Sequence, residues 1–177
     1  SEAYLGHKWC NYWFHVHHLN TNSGKMSKSK GEFLTVSLLE SKGYDPVIYR
    51  FFCLLSHYRK SLVFTYENLD NAKGAYEKLV AKIAQLLKAE QGVVDKAAYD
   101  KLREGFTAAM DDDINTSLAI TALYDVLKAD ATPATKLALI ADFDKVLSLS
   151  LIEKAKAVNE KPADTAEELP AEILELA

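Results

Sequence analysis

The sequence predicts a mainly α chain: a short α/β segment over residues 1–62, an antiparallel helical bundle over 63–157, and a linker or frayed tail over 158–177. Three observations carry this prediction. Apolar residues recur at three- and four-residue steps through most of the second half, the period of a helix with one buried face. Helix-start signals precede these stripes at Asp45-Pro46, Thr65 and Thr132-Pro133, where a side-chain acceptor or a proline suits the first turn. Strand character is confined to one aromatic stretch, Asn11 to Leu19, closed by the turn formers Asn20 to Gly24.

Taken in order, Ser1 to about Lys8 can form a short helix. Along Asn11 to Leu19, alternation would put Trp13, His15 and His17 on one face and Tyr12, Phe14, Val16 and His18 on the other. The basic run from Lys25 to Gly31 follows the turn formers and is expected on a flexible loop. Thr35 to Lys42 reads as a helix closed by Gly43, and a second helix opens with Asp45 as N-cap and Pro46 at N1 and runs to about His57. The longest helix follows Thr65, with Glu67 in its first turn and a stripe of Leu69, Tyr76, Leu79, Val80, Ile83, Leu86 and Leu87. Three more stripes complete the bundle: Tyr99, Leu102, Phe106, Ala109 and Met110; Leu118, Ala122, Leu123, Val126 and Leu127; and Leu137, Ile140, Phe143 and Leu147. From Val158 two prolines and six acids against one lysine signal the tail.

With 177 residues, 49% of them hydrophobic, the chain can bury one good-sized core or two small ones. No apolar run reaches the roughly 18–20 residues a membrane span needs, and the start carries no basic-then-apolar pattern, so neither a span nor a signal peptide is expected. Cys10 and Cys53 stand far apart without CxxC spacing, which fits free thiols in a reducing cytoplasm better than a disulfide framework or zinc ribbon. The net charge of −4 is unevenly spread: residues 1–60 hold eight Lys/Arg against four Asp/Glu, and 61–177 hold thirteen against twenty-one. Phosphate chemistry therefore belongs to the N-terminal part.

The sharpest motif is Lys25-Met26-Ser27-Lys28-Ser29. Two ammonium groups three residues apart, with hydroxyls between and glycines at 24 and 31, can swing onto a polyphosphate and withdraw, and lysine suits this as a mobile point charge. Three lesser features stand beside it. His15, His17 and His18 with Cys10 lack a second ligand cluster and read as packing or edge residues. Asp111-Asp112-Asp113-Ile114-Asn115 opens like a calcium loop but has Thr116 and Ala122 where glycine and glutamate belong, so Asn115 reads as a helix cap beside a buried Ile114. Arg50, Arg59 and Lys60 could face a nucleic-acid backbone, with an Arg50–Asp45 salt bridge as the competing reading.

The KMSKS loop resembles that of class I aminoacyl-tRNA synthetases, and five further stretches resemble the cysteinyl-tRNA synthetase family in particular. Ser1-Glu2-Ala3 is similar to the segment after its HHENE motif, and Asn11-Tyr12-Trp13-Phe14-His15 to its strand leading into the loop. Asp45-Pro46 through Arg50, with His57-Tyr58-Arg59 and Leu62, resembles its D-(A/P)-x-x-(L/I)-R helix and HYR motif. Phe64 to Leu69 is similar to F-S-x-E-x-L, and Ala109 to Thr116 to A-M-D-D-D-F-N-T. The sequence departs at Lys30-Gly31-Glu32, where S-x-G-N is usual, and at His17, where glycine is common.

The resemblance implies a cysteine–tRNA ligase acting in two steps, with ATP (and Mg2+), cysteine and tRNA(Cys) as partners, as a cytoplasmic monomer without a membrane. Carried over by position, Lys28 would contact ATP and stabilise the leaving pyrophosphate, Lys25 would assist, and Met26, Ser27 and Ser29 would complete the ATP-binding loop. Residues 1–62 would form a stem-contact region and 63–157 a DALR-type, anticodon-binding-like bundle, with Arg50, Arg59 and Lys60 as tRNA contacts. The HIGH motif and the Zn2+ ligands would precede Ser1, so no metal site is expected here. The 177 residues are then an internal stretch, expected to be inactive alone. Two other readings stay open: a piece of the paralogous cysteine:aminosugar ligase, and a non-catalytic tRNA- or protein-binding helical module.

Overall fold

A computed structural model describes residues 1–21, 24–25 (as backbone) and 35–160. Helix α1 (Glu2–Leu5) stops at Gly6, whose left-handed φ of 69° ends it. The expected strand over 11–19 is largely absent. Residues 8–18 lie on the surface without a ladder partner, and pairing begins only with β1 (Leu19–Thr21). β-propensity alone forms no strand; a neighbour must supply the hydrogen bonds, and β1 has two. It pairs antiparallel with β2 (Gly24–Lys25) and parallel with β3 (Leu62–Phe64), giving the order β2-β1-β3.

The helices between follow their caps. In α2 (Val36–Ser41) the Thr35 hydroxyl accepts from the Leu38 N–H, and Gly43, at φ 83°, turns the chain out of it. In α3 (Pro46–Leu54) the Asp45 carboxylate accepts from the Val47 N–H at 3.0 Å with Pro46 at N1. This helix ends three residues before the expected His57, in the turn that leads to β3.

The bundle comprises α4 (Tyr66–Lys88), α5 (Lys96–Asp111), α6 (Thr116–Lys128), α7 (Pro133–Leu147) and α8 (Leu151–Glu160), joined by connections of three to seven residues. Connections this short fold successive helices back on one another, and the chain is mainly α as predicted. The α4 stripe is buried as expected at Leu69, Tyr76, Leu79, Val80 and Ile83, and α7 buries Leu139, Ile140, Phe143 and Leu147 against it. Phe106 of α5 stacks on Phe143 with ring centroids 4.1 Å apart. On α6 the stripe is rotated: Ala119 and Ile120 are buried with Leu123 and Val126, while Leu118 is half exposed.

Helix α8 was not anticipated as a separate element. Its start is made without Gly or Pro, by Ser148 and Ser150, both at φ 53°. The Asp144 carboxylate spans the corner, accepting from the Leu149 N–H at 2.6 Å and the Leu151 N–H at 2.8 Å. The Tyr76 hydroxyl donates to the Leu149 carbonyl at 2.6 Å. Helix α8 therefore lies along α4 with Leu151 and Ala155 buried, and it runs through Glu160, past the expected end of the bundle at 157. Residues 161–177 lie outside the described residues.

One core joins both parts of the chain. Phe51 of α3 meets Tyr76 of α4 edge-on at 5.6 Å, and Phe52 meets Phe64 of β3 at 6.1 Å. The sheet that carries the basic motif is thus seated on the bundle rather than hinged from it.

Candidate functional site

The basic motif begins on the last residue of β2. Asn20 faces Lys25 and Thr21 faces Gly24 across the antiparallel pair, so the register fixes where Lys25 leaves the sheet. Met26, Ser27, Lys28 and Ser29 lie outside the described residues, which resume at Thr35, the cap of α2. The described residues on either side of this stretch are fixed, Lys25 in the sheet and Thr35 at the head of a helix packed against α3 and bearing buried Leu39.

The sheet foot is held from the turn between α3 and β3. Leu19, Asn20 and Thr21 pair with Leu62, Val63 and Phe64. The Asn20 amide donates to the Ser61 hydroxyl at 2.7 Å, and the His17 N–H to the Tyr58 carbonyl at 2.9 Å. Phe14 stacks on the Tyr58 ring at 4.3 Å, and His57 stacks on it at 4.8 Å. Between these residues lies a largely apolar cleft of about 300 Å³, lined among others by Phe14, Val16, Leu19, Leu54, Leu62 and Ile114. Cys53 borders it, and burial pushes its thiol up. Behind it burial pushes the Tyr49 hydroxyl up to about 12.

One residue that the sequence reading did not select ties this turn to the bundle. Asp113, at the α5–α6 corner, accepts from Arg59 Nε at 2.6 Å and Nη2 at 3.3 Å, and from the Tyr58 hydroxyl at 2.6 Å. His57 Nε2 stands 3.8 Å away. The Arg59 hydrogen bond, then that of Tyr58, hold the Asp113 carboxyl below the usual carboxylate range, and the same bond to Asp113 pushes the Tyr58 phenol up. The corner itself is strained. Asp113 and Ile114 have φ of 54° and 55°, a region that costs an L residue on the order of 1–2 kcal/mol and is rare for a β-branched side chain. Asn115 caps α6 as expected, accepting from the Leu118 N–H at 3.3 Å. Ile114 is not buried, contrary to expectation: it is 42% exposed and lines the cleft, because its left-handed backbone turns it out of the bundle.

The three cations expected to meet a nucleic acid differ in their freedom. Arg50 Nε donates to the Leu147 carbonyl at 2.6 Å, closing the end of α7, and the expected partner Asp45 pairs instead with Lys154. Arg59 is engaged with Asp113 on one edge, yet its side chain is 66% exposed. Lys60 is exposed beside the cleft, and its ammonium has no partner among the described residues. His15, His17 and His18 are exposed and lie outside the core: Trp13 and His15 stack at 6.2 Å, and His17 meets His18 edge-on at 6.2 Å. Among the described residues no group of three His, Cys, Asp or Glu could hold a metal ion, so they do not fit a zinc site. No helix among them is long and apolar enough to cross a membrane.

Known proteins resemble this chain along most of its length. The family described as tRNA synthetases class I (C) catalytic domain matches residues 1–74, and the DALR domain family matches 105–176. A cysteine–tRNA ligase of Novosphingobium aromaticivorans is 42% identical over 80% of this chain and 29% of its own length. Cysteine–tRNA ligase 1 of Burkholderia lata is 37% identical over 86% of the chain and 32% of its own, and the cysteine–tRNA ligase of Treponema denticola is 33% identical over 88% and 36%. The chain thus spans about a third of the length of the curated relatives it matches. With residues 1–74 matching the class I catalytic domain and residues 105–176, from the last turns of α5 onward, matching the DALR domain, the chain belongs to the class I tRNA synthetases, and these curated relatives are cysteine–tRNA ligases.

Proposed function

We propose that the protein containing this sequence activates cysteine with ATP and transfers it to tRNA(Cys), and that this stretch supplies the ATP-handling loop and tRNA-contacting surface. The observation that carries the reading is the position of the motif: KMSKS opens on the last residue of β2, whose hairpin partner β1 is itself paired with β3. A lysine that meets a polyphosphate needs such a fixed root, since the gain from positioning is lost if the cation arrives misplaced.

In the first step a cysteine carboxylate oxygen bonds to the α-phosphorus of ATP while the bond from that phosphorus to the bridging oxygen of pyrophosphate breaks. Negative charge grows on the leaving pyrophosphate. The Lys28 ammonium neutralises it, with Lys25 assisting, Met26, Ser27 and Ser29 shaping the closed loop, and Mg2+ accompanying the nucleotide. In the second step the ribose hydroxyl at the tRNA terminus attacks the aminoacyl carbonyl and AMP leaves.

Lys60, Arg59 and, less directly, Arg50 are placed against the tRNA backbone in this reading. Lys60 leads because its charge is unpaired among the described residues, whereas Arg50 already closes α7. The protein works as a cytoplasmic monomer, with Cys10 and Cys53 as free thiols. Cysteine-dependent ATP–pyrophosphate exchange by the full gene product tests the reading. Exchange that requires cysteine, followed by charging of tRNA(Cys), is expected. Absence of exchange, or transfer of cysteine to an aminosugar instead, would overturn it.

A further inference from the structure

The strained α5–α6 corner and the root of the basic loop are physically continuous. Asp113 receives three hydrogen bonds from Tyr58 and Arg59. The Tyr58 carbonyl receives the His17 N–H, two residues before β1, and the Tyr58 ring carries Phe14. β1 then sets the register of β2 and so of Lys25. In the other direction Asp113 comes one residue after Asp112, the C-cap of α5, and Asn115 is the N-cap of α6. A shift of the α5–α6 pair can therefore reach the loop's sheet foot through the Asp113 carboxylate, beside the contact of the Thr116 hydroxyl with the Ser56 carbonyl at 3.4 Å.

The local chemistry suits a device more than a simple turn. Glycine would adopt the left-handed corner without strain and Asp tolerates it, yet the β-branched Ile114 also holds it, with a φ of 55°. Strain retained in a corner marks a constraint from elsewhere. Here the constraint is visible on both residues: the Asp113 carboxylate must reach Tyr58 and Arg59, and Ile114 must face the cleft under the segment that leads into β1. As an exposed cluster, the Arg59–Asp113 pair contributes little to global stability. Its geometry, bidentate on one side and shared with a phenol on the other, defines orientation instead.

We infer that Asp113 is a positioning residue for the ATP-handling loop, acting through Tyr58 and Arg59 to couple the helical bundle to the strand that roots KMSKS. This rests on the function proposed above. A consequence is that a tRNA seated on the bundle and on Arg59 can alter the loop without touching it, by competing with Asp113 for the guanidinium.

The test uses the full gene product. Asp113→Asn is chosen because Asn accepts a left-handed backbone as Asp does, while its amide cannot take the place of a carboxylate facing Arg59. The kcat of cysteine-dependent pyrophosphate exchange is expected to fall about tenfold, with KM for cysteine and the melting midpoint unchanged. Hydrogen exchange of the His17 to Thr21 amides should accelerate. Arg59→Met should reproduce the loss, the double variant should be no worse than either single one, and Asp113→Glu should recover part of the rate. Unchanged kcat and unchanged amide exchange in Asp113→Asn would overturn the inference, as would additive losses in the double variant or a rate loss that merely follows a lowered melting midpoint. Lys28→Ala separates the two claims: if it leaves exchange intact, the loop's role fails, whereas if it abolishes exchange and Asp113→Asn does not, only the coupling fails.

Discussion

Replacing Asp144 by Ala should unmake the corner that docks α8. In the native chain its two carboxylate oxygens accept the Leu149 and Leu151 N–H groups, across a turn in which Ser148 and Ser150 are both left-handed. Hydrogen bonds to a charged acceptor contribute at least about 1.5 kcal/mol each, so two make the expected loss about 3 kcal/mol. For a chain of this size each kcal/mol lowers the melting midpoint by about 2–4 °C, giving a fall of roughly 6–12 °C. Helix α8 keeps other ties, among them the Tyr76 hydroxyl on the Leu149 carbonyl and the Asn159 amide on the Ala84 carbonyl at 2.9 Å. Tyr76→Phe and Asp144→Ala should therefore couple non-additively, since both grip one turn. Urea unfolding followed by circular dichroism, with Asp125→Ala as a surface control, measures this. If α8 undocks before the rest, the denaturant slope also falls. A loss below about 0.5 kcal/mol, the range of ordinary surface changes, with an unchanged slope would refute the claim that Asp144 holds the corner.

Two further stability predictions follow from other sites. Phe143→Ala removes a side chain that is 1% exposed and stacked on Phe106; it should cost about 3–5 kcal/mol by urea unfolding, and a loss under about 1 kcal/mol would contradict the packing. Asp45→Asn keeps the cap on α3, because Asn caps as well as Asp, but removes the ion pair with Lys154. That pair's hydrogen bond holds the Asp45 carboxyl below the usual range. Its contribution is present above the unfolded carboxylate value and is lost as pH falls through the lowered folded value. The stability gap between wild type and Asp45→Asn should accordingly be open at neutral pH and close on acidification, and a gap independent of pH would count against it.

What could be read from sequence was what local chemistry determines. Asp45, Thr65, Asn115 and Thr132 each cap the helix they were expected to cap, because an N-cap needs only its own side chain and the next turn. The α4 and α7 stripes were legible because a 3.6-residue period is written along one helix. Pairings between distant segments were not. Nothing in the spacing of Arg59 and Asp113, or of Leu19 and Leu62, announces that they meet. Aromatic richness over Asn11 to Leu19 suggested a strand longer than its neighbours could pair. Helix α8 escaped because its break comes from left-handed serines and a remote carboxylate rather than Gly or Pro. The candidate loop was visible as a motif, whereas its root in the β1–β2 hairpin and the Asp113 corner required the fold.

The central claim is that KMSKS, rooted in this hairpin, stabilises the pyrophosphate leaving from ATP. Stopped-flow measurement of cysteinyl-adenylate formation by the full gene product and its Lys28→Ala variant, with tRNA(Cys) affinity measured alongside, tests it most directly. The account predicts a fall in adenylation rate of about a hundredfold or more with tRNA affinity unchanged. An adenylation rate equal to wild type, or a defect confined to tRNA binding, would contradict it.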